Sequence, residues 1–126
     1  MKKALIVVDI QNDFCEGGAL AVPEANSIIP YVNLLMEDTT YDEIILTQDW
    51  HPANHKSFAS NNGRKVGEVI NLNGLPQFMW PDHCVQGTSG AEFHPDLNTK
   101  NVTHIVQKGK IQKLTAIADF KITTIL

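Results

Sequence analysis

Short apolar runs punctuate the chain and end abruptly in polar residues. Three of them consist almost entirely of residues that favour strands. Continuous apolar runs of this length are typical of strands buried on both faces, as in a parallel sheet covered by helices. The pattern therefore predicts three parallel strands, at Ala4–Val8, Ile44–Leu46 and Val102–Gln107.

One helix is predicted between the first two strands. Apolar residues recur with helical spacing over Pro23–Met36, and the proline start suits a first helical turn, although Pro30 is expected to bend the helix. Residues 10–23 and 50–100 are rich in Gly, Pro, Asn or His and predict loops, and loops as long as the second usually carry function. The order of elements predicts an α/β layered domain with a parallel sheet.

A polar residue follows each predicted strand at or near its carboxyl end. These residues are Asp9, Asp49 and Lys108. In open parallel sheets, ligands bind beyond the carboxyl ends of the strands. We therefore expect two carboxylates and one amine at a single edge, with Asp9 and Lys108 on adjacent strands.

Length and composition narrow the class of protein. The 126 residues suit one domain, and 43% hydrophobic with 19% charged residues excludes disordered and fibrous chains. A net charge of −4 without a Lys/Arg block argues against nucleic-acid and anionic-membrane partners. No apolar run approaches the ~20 residues of a membrane span. Two cysteines, Cys15 and Cys84, make no disulfide framework, so the composition predicts a soluble, cytoplasmic protein.

Asp49 and His51 have the spacing of metal ligands. In extended backbone, residues two apart point to the same side, so this carboxylate and this imidazole can converge. His83 is favoured as a third ligand because the adjacent Pro81 stiffens its loop. Two histidines and a carboxylate predict a metal site with open positions, as in catalytic zinc and non-haem iron centres. The alternative is that these are ordinary polar loop histidines. His55 stays open as another nitrogen ligand, whereas His94, in a turn with Pro95, and His104, on the last strand, are interpreted as ordinary residues.

Four segments together resemble a known family. They are DIQNDF with GGAL within 9–20, QDWHP with NHKSFA within 48–59, WPDHCVQGT at 80–88 and QKG at 107–109. These segments are similar to the motifs of nicotinamidases, in the isochorismatase-like cysteine hydrolase superfamily. The resemblance extends over residues 4–109. It implies a three-layer α/β/α fold with a parallel sheet.

The resemblance also implies a reaction and a set of roles. The family hydrolyses nicotinamide to nicotinate and ammonia in NAD salvage through a cysteine nucleophile. The expected substrate is therefore a small molecule, nicotinamide or an analogue. A homo-oligomeric state is possible on this resemblance. By motif match, Asp9 is the aspartate that accepts the proton of the cysteine, and Lys108 is the lysine that holds this pair in position. The cofactor implied is one divalent ion (zinc, iron or manganese). The remaining roles are metal binding by Asp49, His51 and His83, with His55 as a candidate fourth ligand, and ring contact by Phe14, Leu20 and Trp80.

The nucleophile of the family is expected on a later strand-to-helix turn, which residues 1–126 do not include. Cys15 and Cys84 fall at other positions of the matched motifs and are interpreted as small packing residues. We therefore expect residues 1–109 to form the N-terminal part of the hydrolase domain, with the C-terminal strands missing. Alone, the chain is expected to be inactive.

Residues 110–126 do not continue the expected family pattern, and our hypothesis is that a frameshift near Gly109 replaced the C-terminal part. Synonymous codons can be chosen for residues 110–121 such that reading two nucleotides later gives NPEIDSYSGFQ, the segment expected in the family. We therefore predict an out-of-frame, poorly packed tail. Sequencing of codons 107–112 tests this interpretation.

Two other functions stay open. One is a related cysteine hydrolase acting on a different amide or an isochorismate-type ether, although such relatives generally lack the metal triad. The other is a metal-binding or nicotinamide-binding remnant without catalysis.

Overall fold

The computed structural model describes residues 1–111 and contains two sheets. The larger sheet is parallel, with strand order β1-β2-β5, and the smaller is an antiparallel hairpin of β3 and β4. The predicted α/β fold with a parallel sheet is confirmed. The strands are β1 (Ala4–Val8), β2 (Glu43–Asp49), β3 (Val69–Leu72), β4 (Leu75–Phe78) and β5 (His104–Lys108).

The helix is shorter than predicted. A 3₁₀ turn spans Ala25–Ile28, and the α-helix, α1, spans Ile29–Met36. Glu24 has a left-handed φ of 60°, which a continuous helix from Pro23 cannot contain. Pro30 therefore lies in the first turn of α1, where its missing N–H needs no partner, and not inside the helix as predicted.

The helix packs against one face of the parallel sheet. Ile29 and Met36 of α1 are buried in one cluster with Val7, Ile44 and Leu46 of the strands. Fully burying an apolar side chain of this size contributes about 1.5–3 kcal/mol. This core fixes β1 and β2 side by side and leaves their carboxyl ends to the loops.

The long segment after β2 contains more order than the sequence predicts. The β3–β4 hairpin turns at Asn73 and Gly74, whose φ values of 53° and 85° suit a tight hairpin turn. The Asn-Gly pair is a sequence signal for a hairpin turn. The strands are short and mostly exposed, and β4 contains Pro76, which argues against a strand in the sequence. An isolated bridge between His51 and Val85 attaches this segment to the backbone just past β2. Two further bridges join Phe58 to Trp80 and Gln11 to Phe93.

Strand order differs from expectation at one point. β2 lies between β1 and β5, so the prediction that Asp9 and Lys108 end adjacent strands is wrong. Pairing between strands is set by non-local packing, which a linear apolar pattern does not encode.

The predicted poor packing of the tail concerns residues outside the described range, apart from 110 and 111. In residues 1–111 no helix is both long and apolar enough to cross a membrane.

Candidate active site and metal centre

Lys108 joins two carboxylates at the carboxyl edge of the sheet. Its Nζ donates a hydrogen bond to Oδ2 of Asp9 at 2.7 Å and another to Oδ1 of Asp49. The lysine and both carboxylates are largely shielded from solvent. The side chain of Lys108 thus bridges the ends of β1 and β2 from its own place at the end of β5. The expected meeting of two carboxylates and an amine is confirmed in this geometry.

The ion pairs keep these groups charged. Burial raises the pKa of Asp49, but hydrogen bonds with His51 and Lys108 and the charge of Lys108 outweigh it, so the pKa lies below its ordinary value. Burial likewise disfavours the ammonium, yet hydrogen bonds to Asp49 and Asp9 outweigh it and raise the pKa of Lys108. The pKa shifts of Asp49 and Lys108 therefore both favour the charged forms of this ion pair.

Asp9 has an unusual backbone conformation that its neighbours fix. Its φ is 55°, in the left-handed region that few residues other than glycine adopt. The hydroxyl of Thr47 donates to Oδ1 of Asp9 at 2.6 Å, and the N–H of Asp9 donates to the carbonyl of Thr47 at 3.2 Å. Strained residues of this kind cluster at functional sites. Sequence reasoning missed Thr47, because a buried threonine within a strand gives no separate signal.

Asp49, His51 and His83 converge beside this ion pair. Oδ2 of Asp49 lies 3.6 Å from Nε2 of His51 and 3.9 Å from Nε2 of His83, and the three ligand atoms lie within 4.8 Å of one another. Two ligand atoms that each lie about 2.1 Å from one ion can be at most about 4.2 Å apart. The separations from Oδ2 satisfy this limit, and Oδ1 stays with Lys108.

Second hydrogen bonds orient both imidazoles. Nδ1 of His51 donates to the carbonyl of Gly109 at 2.8 Å, and Nδ1 of His83 donates to the carbonyl of Pro81 at 2.7 Å. A carbonyl only accepts, so Nδ1 carries the proton and, in a neutral ring, Nε2 keeps its lone pair toward Asp49. Metal-binding histidines are usually held in this way.

The site suits a divalent ion. All three residues are buried, and burial lowers the pKa of His83 despite its hydrogen bond to Pro81, which preserves the neutral ring. One carboxylate oxygen and two imidazole nitrogens match the donor preferences of zinc and of non-haem iron. The convergence of the predicted triad is confirmed, and the residues fit one metal ion.

His55 lies behind this triad. It is buried, and its ring centroid lies 4.6 Å from that of His51. Its Nδ1 accepts a hydrogen bond from the N–H of Ser57 at 3.1 Å, which in a neutral ring leaves the proton on Nε2. The group of mutually close ligand atoms found in residues 1–111 does not include His55. Its role as fourth ligand stays a prediction.

Aromatic rings surround His83. The ring centroids of Phe14 and Trp80 lie 5.7 and 6.4 Å from that of His83, and Trp80 is 37% exposed. Leu20 is half-buried in the opening loop. Phe58, which sequence reasoning missed, is fully buried with its centroid 5.4 Å from His83. His83 thus packs against one buried ring, that of Phe58, and against two partly exposed rings, those of Phe14 and Trp80.

The two cysteines are both buried. Burial, followed by the charge of Glu16, raises the pKa of Cys15. Burial, followed by the negative charges of Asp49 and Asp13, raises the pKa of Cys84 strongly. Nucleophilic cysteines need an accessible thiolate, so these surroundings favour inert thiols.

Comparison with known proteins identifies the family. The chain matches the isochorismatase domain over residues 3–119, and it belongs to that family. A nicotinamidase from Escherichia coli (strain K12) is 49% identical over 110 residues, which are 86% of this chain and 52% of that protein. The chain spans about half the length of the curated relatives it matches.

Solved structures agree with this assignment. An Acinetobacter baumanii nicotinamidase/pyrazinamidase has a TM-score of 0.82 and 49% identity, covering 88% of this chain and 53% of the other. A pyrazinamidase of Pyrococcus horikoshii, solved in complex with zinc, has a TM-score of 0.69 and 41% identity, covering 92% of this chain and 56% of the other. The resemblance to isochorismatase-like nicotinamidases is confirmed.

Proposed function

We propose that the enzyme domain represented by this chain hydrolyses nicotinamide to nicotinate and ammonia, a step of NAD salvage in the cytoplasm. The observation that carries the proposal is the Lys108 ammonium bonded to Asp9 and Asp49 beside the two histidines. Relatives at 49% identity that are named nicotinamidases support it.

Asp9 is the proposed proton acceptor. Two hydrogen bonds, from Lys108 and from Thr47, hold the side chain of Asp9 in place. Asp9 takes the proton of a cysteine thiol, and the thiolate adds to the amide carbon. Asp9 then gives that proton to the amide nitrogen, the C–N bond breaks, and ammonia leaves with the acyl group on the cysteine. Water then hydrolyses the acyl-cysteine to nicotinate and restores the thiol.

The nucleophile in this proposal is neither Cys15 nor Cys84. Both thiols are buried and have raised pKa values, which leaves them poorly suited to attack. We therefore propose that the 126-residue chain alone is inactive.

The metal site is proposed to bind one zinc, iron or manganese ion through Oδ2 of Asp49 and Nε2 of His51 and His83. His55 is kept as a candidate fourth ligand. A bound ion supplies a Lewis acid that orients the pyridine nitrogen or polarises water. Phe14, Leu20 and Trp80 are proposed to contact the ring of the substrate through apolar and stacking interactions.

Ammonia release tests the proposed function. The coding DNA is sequenced through codons 107–112, and the chain is expressed both as given and with the alternative frame restored after Gly109. The restored protein is expected to release ammonia from nicotinamide, and Asp9→Asn or Lys108→Ala to remove that activity. A restored protein that is folded but inactive on nicotinamide contradicts the proposal, and activity on other amides in a panel identifies a related hydrolase.

A second candidate function is binding of metal or nicotinamide without catalysis. The two buried thiols favour it, because neither is suited to act as a nucleophile. In that case the chain as given binds zinc or nicotinamide but releases no ammonia, and restoring the frame adds no activity. Robust turnover of nicotinamide by the 126 residues contradicts this second candidate. It also contradicts the mechanism proposed for the first, because Cys15, Cys84 or metal-bound water would then do the chemistry.

A further inference from the structure

The side chain of Gln11 holds the backbone of Asp49. Gln11 is fully buried, and its Oε1 accepts a hydrogen bond from the N–H of Asp49 at 2.9 Å. Its Nε2 donates to the carbonyl of Asp49 at 2.8 Å and to that of Ala91 at 2.8 Å. One amide group therefore satisfies both main-chain groups of the carboxylate residue in the triad.

The side chain of Gln11 takes the place that a continuing β1 would have beside Asp49. The last register pair of β1 with β2 joins Val8 to Thr47, so β1 has ended before Asp49. On its other side, β2 still pairs Asp49 with Lys108 of β5. Buried backbone groups need partners, and the amide of Gln11 supplies the ones that β1 does not. The bonds fix Asp49 where β2 leaves the sheet.

Asp13 holds the segment that carries His83. Its Oδ2 accepts a hydrogen bond from the N–H of Cys84 at 2.7 Å, and its Oδ1 accepts from the N–H of Ala19 at 3.2 Å. The carbonyl of Cys84 accepts from the N–H of His51 at 2.9 Å. Cys84 has a left-handed φ of 46°, so these bonds hold a strained residue directly after His83.

The packing around Asp13 leaves it little freedom. Gly90 lies against its carboxylate so closely that a Cβ at Gly90 would overlap it. Gly18 lies equally close to the backbone of residues 12 and 13. The carboxylate is therefore a fixed acceptor for the peptide that follows His83.

We propose that Gln11 and Asp13 are positioning residues of the metal site. Gln11 fixes the main chain of Asp49 at the end of β2, and Asp13 fixes the main chain beside His83 in a later loop. Two residues of the opening segment thus align two of the proposed ligands. The inference rests on the proposed metal site, because it concerns the geometry of that site. Neither residue is among the proposed ligands, and their effect acts through the backbone.

Gln11→Met tests the first half, with Gln48→Met as matched control. Gln48 is also buried, and its Nε2 donates to the same carbonyl of Ala91 at 2.9 Å, but it does not bond the backbone of Asp49. Zinc affinity of the 126-residue chain is measured by calorimetric titration. Loss of such a support typically weakens metal binding by about 10–100-fold, which is expected for Gln11→Met, against less than about 3-fold for the control.

Asp13→Ala tests the second half, with Asp82→Ala as control. Each variant removes one carboxylate near His83. Asp13 accepts a hydrogen bond from the N–H of Cys84, whereas Asp82 is exposed and accepts one from the hydroxyl of Ser60. The expected loss of zinc affinity is again about 10–100-fold for Asp13→Ala. Equal affinities of the two variants would overturn the role of Asp13.

A milder variant separates misplacement from unfolding. Gln11→Asn keeps the amide but is one methylene shorter, and its matched control is Gln48→Asn. Circular dichroism must match the wild type, and hydrogen exchange at the Asp49 amide is expected to accelerate, since that N–H loses its partner. A wild type that binds no zinc contradicts the metal site itself. A wild type that binds, with folded Gln11 variants binding equally well, contradicts only the positioning role.

Discussion

The carbonyl of Gly109 accepts a hydrogen bond from Nδ1 of His51 at 2.8 Å, although 58 positions separate the two residues. Gly109 has a φ of 68° and follows Lys108 directly. The end of β5 therefore supplies both the ammonium of the ion pair and the acceptor that orients a proposed metal ligand. The two parts of the site share one short piece of backbone.

Gly109→Ala is expected to weaken zinc binding by about 10–100-fold, because a Cβ at this position overlaps the His51 ring. Gly63→Ala is the matched control, since Gly63 has a similar φ of 60° but open space around it. Both variants pay about 1–2 kcal/mol for the left-handed backbone, measured by urea unfolding. Equal zinc affinities would remove the role of Gly109.

His51→Ala is expected to abolish tight zinc binding while β2 stays intact, because the residue lies just past the strand and supplies one of the three ligand atoms. His104→Ala is the control. His104 is exposed on β5 and pairs with Glu43 at 3.2 Å, away from the triad. Calorimetry measures affinity and circular dichroism measures folding. Unchanged zinc affinity in a folded His51→Ala variant would contradict the metal site.

Lys108→Met is expected to destabilise the fold by roughly 3 kcal/mol at neutral pH, since removing one partner of a buried ion pair leaves uncompensated charge. Asp9 and Asp49 then face each other without their shared cation. The double variant Lys108→Met with Asp9→Asn is expected to recover part of the loss. Urea unfolding of metal-free protein measures both, and a single variant as stable as the wild type contradicts the expectation.

The pH dependence of this loss has a defined sign. In the wild type the pKa of Asp49 is lowered, so its contribution is present above the ordinary value of about 4 and is lost as the pH falls through the folded-state pKa. Without Lys108 the main lowering charge is gone. The stability difference between wild type and Lys108→Met is therefore expected to be largest near pH 7 and to shrink toward pH 4. Unfolding curves of the metal-free proteins check this, and a difference that grows in acid would contradict it.

Both thiols are expected to react slowly with a disulfide reagent in the native chain, because Cys15 and Cys84 are buried and their pKa values are raised. Two thiols should react promptly after unfolding in guanidinium, which is the internal control. Rapid labelling of either cysteine in the native chain would contradict its interpretation as an inert packing residue. Variants with one cysteine replaced by Ser identify which thiol reacts.

The sequence by itself determined the strands and the edge that carries the chemistry. Ala4–Val8 appears as a strand with the predicted bounds, and Asp9, Asp49 and Lys108 meet beyond the strand ends. These features could be predicted because apolar runs and their polar ends are local, and parallel strands bring their carboxyl ends to one edge. The family motifs added the assignment of His83 and the role of Lys108.

Only the tertiary structure decided how distant segments support one another. It placed β2 between β1 and β5 and began α1 at Ile29. It also gave Gln11 its place against the backbone of Asp49. Such pairings depend on loop closure and on partners for buried polar groups across 38 or more positions, which no local pattern in the chain records.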